Sequence, residues 1–225
     1  MKCFIVLICA HVLADFLLQP DRIARNKHQL GVLFLHTGVH ALLSWTLFGF
    51  RLPWQIPVII LLGHFLIDFL KQKVSDTACT FCVDQLLHIV VLAFLAAGYV
   101  PAELWSQFDM VYKPIVLFAG FVATVQGSGF LVNKVAKRLI KQNKLEVDGL
   151  KGGGKLIGQL ERALIFLLVL IGQPAGIGFL VAAKSILRFK ESEEQKLAEY
   201  VLIGTLLSFG LAIALSVLTM KAINQ

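Results

Sequence analysis

The sequence predicts an all-α protein: a polytopic bundle of seven to eight transmembrane helices whose first four spans form a tandem repeat of helix hairpins. Three observations predict it. The chain has 225 residues, 57% of them hydrophobic, and a mean hydropathy of +0.78; soluble domains sit at roughly 45–50% apolar. Its apolar runs approach membrane-crossing length and are separated by breaks that carry proline, glycine or cations. One phrase, H-x3-D-F-L-x-Q, occurs twice, beginning at His11 and again at His64.

Taken in order, the first span is expected over 3–18. It is short for a full crossing and ends at Gln19-Pro20-Asp21, because proline cannot continue a hydrogen-bonded helix. A secretion signal would have a basic start, an uninterrupted apolar stretch and a small-residue cleavage motif. Here Lys2 stands alone and His11 and Asp15 interrupt the apolar stretch, so this reads as a retained span. A polar loop with Arg22, Arg25 and Lys27 follows. Further spans are expected over 30–48, 54–70, 80–99, 113–132, 156–170, 175–186 and 200–220, the seventh short enough to be re-entrant. Arg51-Leu52-Pro53 separates spans two and three, and Gln173-Pro174 separates six and seven. Two domains are expected: residues 1–100 as a duplicated-hairpin four-helix domain, and 101–225 as a companion membrane domain. The companion carries a basic linker over 134–155, including Lys134, Lys137, Arg138, Lys141 and Lys144, which suits a membrane-surface helix.

The formal net charge is +7. The cations concentrate in the loops after spans one, three, five and seven. That alternation follows the positive-inside rule and places those loops in the cytoplasm, with the N-terminus on the periplasmic side of a bacterial inner membrane. It also accounts for the charge without nucleic acid as a partner. Cys79 and Cys82 face a reducing compartment in this topology and read as ordinary small residues near a helix start.

The chemistry lies in four phrases with the same spacing: His11-x3-Asp15, His36-x3-His40, His64-x3-Asp68 and Asp84-x3-His88. Residues i and i+4 share one helix face. Each phrase therefore puts two metal-ligand side chains on one stripe of an apolar helix. Five of the six histidines are in these phrases. Ionisable groups inside a membrane cost several kcal/mol unless paired or ligated. With spans one and three running inward and two and four outward, all four pairs fall at one depth in the cytoplasmic half. The expected deep layer is His11, His40, His64 and His88; the shallow layer is Asp15, His36, Asp68 and Asp84. The repeat places both layers on a pseudo-two-fold axis between sister hairpins. Gln19 and Gln72 continue the same faces one turn further out, toward a substrate.

Five imidazoles and three carboxylates suit borderline divalent ions such as zinc, manganese or iron. Eight donors exceed one tetrahedral ion and suit two ions about 3.5–4 Å apart. Haem needs imidazoles but not aspartates, so the three carboxylates argue against it. A single intramembrane His–Asp pair is more often a helix–helix hydrogen bond than a ligand pair; four aligned pairs in a repeated phrase reverse that weighting. Asp15 and Asp68 are the candidates for general base. In the second half, Glu161, Arg162, Lys184, Arg188 and Glu199 gather toward the cytoplasmic side. Arg162, Lys184 and Arg188 could seat a phosphate headgroup, or could simply snorkel and form internal ion pairs.

The H-x3-D-F-L-x-Q opening, the H-x3-H of span two and the Asp84-Gln85-x-x-His88 of span four resemble a bacterial inner-membrane family of unknown function. The stretches around Glu161-Arg162, Lys184-Ser185-Ile186-Leu187-Arg188 and Glu199-Tyr200 resemble its longer members. The first half is also distantly similar to membrane-bound metal-dependent hydrolases described as LexA-binding. A pair of ions that activates water implies hydrolysis of a membrane-associated ester or phosphoester, the depth of the site suits a membrane lipid or lipid-linked substrate, and the second likeness adds to the hydrolase reading. A divalent-metal transporter is the second expectation and a metal-stabilised scaffold the third; a homo-oligomer is compatible with each. Outside Ser44 and Thr46, the outer halves of spans one to four offer no polar route, which favours the enzyme.

Overall fold

The computed structural model describes residues 1–101, 104, 109–145, 152–189 and 195–225, with the side chains of 109 and 185–189 left out. The described residues are helical throughout, without strands. The helices are α1 (Lys2–Phe16), α2 (Asp21–Asn26), α3 (Leu30–Leu47), α4 (Gln55–Lys71), α5 (Ala78–Gly98), α6 (Asp109–Val122), α7 (Ser128–Asn143), α8 (Gly153–Leu170), α9 (Ala175–Phe189) and α10 (Gln195–Ile223). A π-helical turn over Ala123–Gly127 joins α6 to α7.

Local chemistry sets the helix ends. Pro20 stands at the N-cap of α2, where its missing N–H is not needed. This short helix replaces the expected polar loop. After α3 the chain reverses through Gly49 and Phe50, both at positive φ. The Phe50 amide donates to the Trp45 carbonyl at 2.9 Å, and the Trp45 indole donates to the Leu52 carbonyl at 3.1 Å. Helix α5 opens on a capping box: Thr77 Oγ1 accepts from the Thr80 amide and Thr80 Oγ1 from the Thr77 amide.

The side-chain distribution is inverted relative to a soluble helix. On α4, Ile56, Ile60, His64 and Asp68 face inward at four-residue intervals. Leu62, Leu66 and Leu70, on the opposite face, are 59%, 57% and 52% exposed. On α5, Asp84 and His88 are buried while Leu86, Val90 and Phe94 are exposed. Polar groups inside and leucines outside is the arrangement that a hydrocarbon solvent favours. Four helical stretches are long and apolar enough to cross a membrane: Leu30–Leu47, Ala78–Gly98, Met110–Asn143 and Gln195–Ile223. Helices α1 and α4, at 15 and 17 residues, fall short of the usual ~20. The expected fifth span and the basic stretch after it belong to one 34-residue helix.

The chain divides into two compact units. The first is Met1–Val122 with Lys221–Gln225, the second Ala123–Met220. The first unit extends past the expected boundary at residue 100 to include α6, which packs on α1. Its apolar core gathers Val6, Leu7, Phe48, Ile56, Leu95, Tyr112 and Val116, and the Tyr112 hydroxyl donates to the Ala222 carbonyl at 2.8 Å. Within it α3 packs against α1 and α4, and α5 against α1 and α4. In the second unit, Ile165, Ile177, Phe209 and Ala212 form the apolar core.

Candidate metal centre

The four i, i+4 pairs converge in the first unit. One pair comes from each of α1, α3, α4 and α5, and all eight side chains are at most 9% exposed. The imidazoles form a continuous cluster: ring centroids lie 3.6 Å apart for His40–His64, 3.9 Å for His64–His88, 4.7 Å for His36–His40 and 5.0 Å for His11–His88. Asp15 sits at its focus. Its Oδ1 lies 3.2 Å from His40 Nε2, 3.3 Å from His36 Nε2 and 3.7 Å from His64 Nε2. None of these approaches is aligned as a hydrogen bond. Asp15 Oδ1 and the Nε2 atoms of His36, His40, His64 and His88 are buried without a hydrogen-bond partner among the described residues. Buried polar atoms are rarely left that way, and one cation among Asp15, His36, His40 and His64 would satisfy four of these five.

Two donor sets are compact enough to hold a metal ion: Asp15, His36, His40 and His64, and then His64, Asp68 and His88. His64 belongs to both. The sets cut across the expected deep and shallow layers. The reason is the tilt of helical side chains toward the N-terminus. Asp15 and Asp68 lean back toward the level of His11 and His64 on helices running one way. His40 and His88 lean back toward His36 and Asp84 on helices running the other way. The two layers therefore merge.

Hydrogen bonds assign the remaining groups. The Asp84 carbonyl lies 2.9 Å from His88 Nδ1. A carbonyl only accepts, so Nδ1 carries the proton and Nε2 is left as a lone-pair donor. Gln85 Nε2 donates to Asp15 Oδ2 at 3.0 Å and to Asp84 Oδ2 at 3.3 Å. Its Oε1 therefore faces His11 Nε2, at 3.2 Å, and His11 must donate to it. This occupies the His11 nitrogen, and His11 lies outside both donor sets. Asp84 also lies outside them: its Oδ2 is held by Lys71 as well as Gln85. Lys27 Nζ donates to Asp68 Oδ2 at 2.9 Å, and Asp68 Oδ2 is 3.5 Å from His36 Nε2. Beyond the rings, His11, His40, His64 and His88 border a cavity closed by Ser44, Ile60, Ile67, Val91 and Leu92; it has about 10 Å³ for the centre of a water-sized particle. That is room for one ion or one water but not for an organic substrate.

Sequence reasoning did not single out Gln85, Lys27 or Lys71. Gln85 was legible as the second letter of the D-Q-x-x-H phrase. The lysines were hidden because each looked like a loop or exit cation. Gln19 is not on the α1 face, since α1 ends at Phe16 and Gln19 follows it, half-buried. Gln72 turns its amide to the Lys27 carbonyl at 3.1 Å.

The second-unit cluster is not assembled as an open cationic seat. Arg162 is 5% exposed. It donates from Nε and Nη2 to the Val125 carbonyl, at 3.0 and 2.8 Å, and from Nη1 to Ser208 Oγ at 3.2 Å. Val125 lies in the π turn, where the shifted ladder leaves a carbonyl to be satisfied from outside. Lys184 Nζ is bonded to Glu161 Oε2 at 2.8 Å. The Arg188 side chain lies outside the described residues.

Residues 3–116 match the family described as "Protein of unknown function (DUF3307)". No curated protein and no solved structure matches the chain. The matched segment contains all eight histidine and aspartate positions and just over half of the chain, which belongs to this family of proteins of unknown function.

Proposed function

We propose that the first unit is the metal centre of a membrane-embedded hydrolase acting on an ester or phosphoester of a membrane-associated molecule at the cytoplasmic face of the inner membrane. The observation that carries this reading is the convergence on Asp15 Oδ1 of the unpartnered Nε2 atoms of His36 and His40 from α3 and of His64 from α4. Asp15, His36, His40 and His64 would hold a divalent ion such as zinc, manganese or iron. When bound, the ion would supply Lewis acidity at an acyl or phosphoryl oxygen. Asp15, enclosed by three rings, acts as ligand. Asp68, on the edge of the cluster beside Lys27, acts as the general base. Gln85 holds Asp15 and His11 in place. Two sister hairpins, α1 with α3 and α4 with α5, within a bundle of seven to eight spans, are the architecture this reading uses. It is supported by the repeated phrase and by the packing of α1 on α3 and of α4 on α5. The apolar closure by Ile60, Ile67, Val91 and Leu92 favours a dead-ended site over a transport route.

The test is elemental analysis of protein purified without chelators, followed by an assay on a fluorogenic phosphodiester and a fluorogenic acyl ester in lipid vesicles. His40→Ala and Asp15→Ala are expected to lose bound metal. Asp68→Asn is expected to keep metal while kcat falls about 10²–10⁴-fold. A wild type without stoichiometric metal overturns the metal centre. Metal retained together with metal accumulation by overproducing cells, and no hydrolysis, would give the site to a transporter instead.

A further inference from the structure

The lysines at the cluster carry an inference about what completes it. Three carboxylates, Asp15, Asp68 and Asp84, are sunk among the rings, and among the described residues two lysines are bonded to them. Lys27 Nζ is 2.9 Å from Asp68 Oδ2, and Lys71 Nζ is paired with Asp84 Oδ2. Both lysines keep some contact with the outside, with side chains 18% and 30% exposed, while both carboxylates are 4% exposed. The segment carrying Lys27 is tied down, because Gln72 donates to its carbonyl. Lys71 is the last residue of α4, one turn beyond Asp68, and Asp84 is on the first turns of the neighbouring α5. The two ammonium groups are thus built into the mouth of the cluster.

We infer that Lys27 takes the place of a second metal ion, so that the site holds one divalent cation where eight donor residues suggest two. This rests on the metal-centre reading above. Charge supports it. Two lysines leave the three carboxylates with one uncompensated negative charge. One divalent ion turns that into a single positive charge, which an anionic substrate group offsets; two would leave three positive charges among buried rings, an expensive outcome in a low-dielectric setting. Donor supply supports it as well. Asp15, His36, His40 and His64 supply four donors to one ion, which a five- or six-coordinate divalent cation can use while keeping a position for a substrate oxygen. The second set has only His64, Asp68 and His88. His64 is shared with the first, and Asp68 Oδ2 is occupied by the Lys27 ammonium. Asp84 and His11 lie outside both compact sets; Lys71 and Gln85 hold Asp84 Oδ2, Gln85 holds His11 Nε2, and the buried Asp84 Oδ1 is left without a partner among the described residues. Lys27 is therefore the group whose loss frees a second site, whereas Lys71 neutralises a carboxylate outside both sets.

The experiment is a metal count on the full chain in detergent, after equilibrium dialysis against manganese or zinc and removal of loosely bound ion. Wild type is expected to hold one ion per chain. Lys27→Met, which keeps the apolar stem and removes the charge, is expected to hold two, and Lys27→Arg to return the count to one. Lys71→Met is expected to stay at one. Two ions in wild type overturn the inference without any variant, as does a count of one in a helical, monodisperse Lys27→Met. An absence of ions from wild type and variants alike instead removes the metal centre itself, a different failure with a different signature.

Discussion

Asp15 is the residue on which the cluster turns, and its neighbour Gln85 is the residue that orients it. A neutral amide with both ends used can bind only one way round: its nitrogen on the Asp15 and Asp84 carboxylates, its oxygen on His11. Removing an outer-shell partner of this kind typically lowers metal affinity about 10–100-fold. Gln85→Ala is expected to show that loss in a competitive chelator titration, with helix content unchanged. Gln85→Glu keeps an acceptor for His11 but replaces the donor to Asp15 and Asp84 with a third carboxylate oxygen, and is expected to lower the thermal midpoint of the metal-free, detergent-solubilised protein. In the second unit Arg162 is held where two glycines leave room. A Cβ at Gly129 would come within 2.6 Å of Arg162 Nη2, and one at Gly158 within 3.0 Å of Nη1. Overpacking of this kind costs about 1–3 kcal/mol. Gly129→Ala is expected to lower the thermal midpoint of the detergent-solubilised protein, and a Gly178→Ala control, where no atom lies within 4 Å of the added Cβ, is expected to leave it unchanged.

Helix α4 shows at the scale of an element why the site and the membrane reading support one another. Its inward stripe changes from Ile56 and Ile60 to His64 and Asp68, while its outward stripe stays leucine. A charge on that outward stripe would have to face hydrocarbon. Leu62→Lys, at the middle of α4, is expected to cost about 2.5–3.5 kcal/mol of insertion, read as a fall in the membrane-fraction yield. The same substitution on a soluble helix would be harmless. Helix α5 depends on its start as well as on its stripe. The Thr77–Thr80 box satisfies donors at the end that leads into Asp84. Thr77→Ala is expected to lower stability by about 0.5–2 kcal/mol, visible in thermal unfolding, with the metal count unchanged.

For the whole molecule, the sharpest consequence is orientation. In the topology proposed from the cation-rich loops, the α4–α5 connection, and with it the mouth of the cluster, is on the cytoplasmic side. Cys79 and Cys82 mark that place, since both are exposed at the start of α5, whereas Cys3 and Cys9 are buried. A membrane-impermeant maleimide is expected to label Cys79 and Cys82 in inverted vesicles and to leave them unlabelled in intact spheroplasts. Labelling from the outside would reverse the topology and put the hydrolase reading on the wrong face of the membrane.

The helices and the cluster were legible in the sequence because both depend on short-range periodicity. Apolar runs of near-membrane length set the helices, and four residues set the His/Asp pairs, so α3, α4 and α5 lie within a few residues of their expected limits and all eight side chains meet. What α2 would be was not legible, since a six-residue helix has no periodic signal and rests on Pro20 and Asp21. Nor was the π turn before α7, whose Val125 carbonyl accepts from Arg162, 37 residues later. Composition and spacing already required ionisable groups to be buried together in an apolar helical protein, because burying them singly is too costly. Their separate roles come from long-range packing. Which carboxylate lies among free imidazoles and which is bonded to a lysine depends on contacts such as Lys27 with Asp68, 41 residues apart, and no local spacing encodes them.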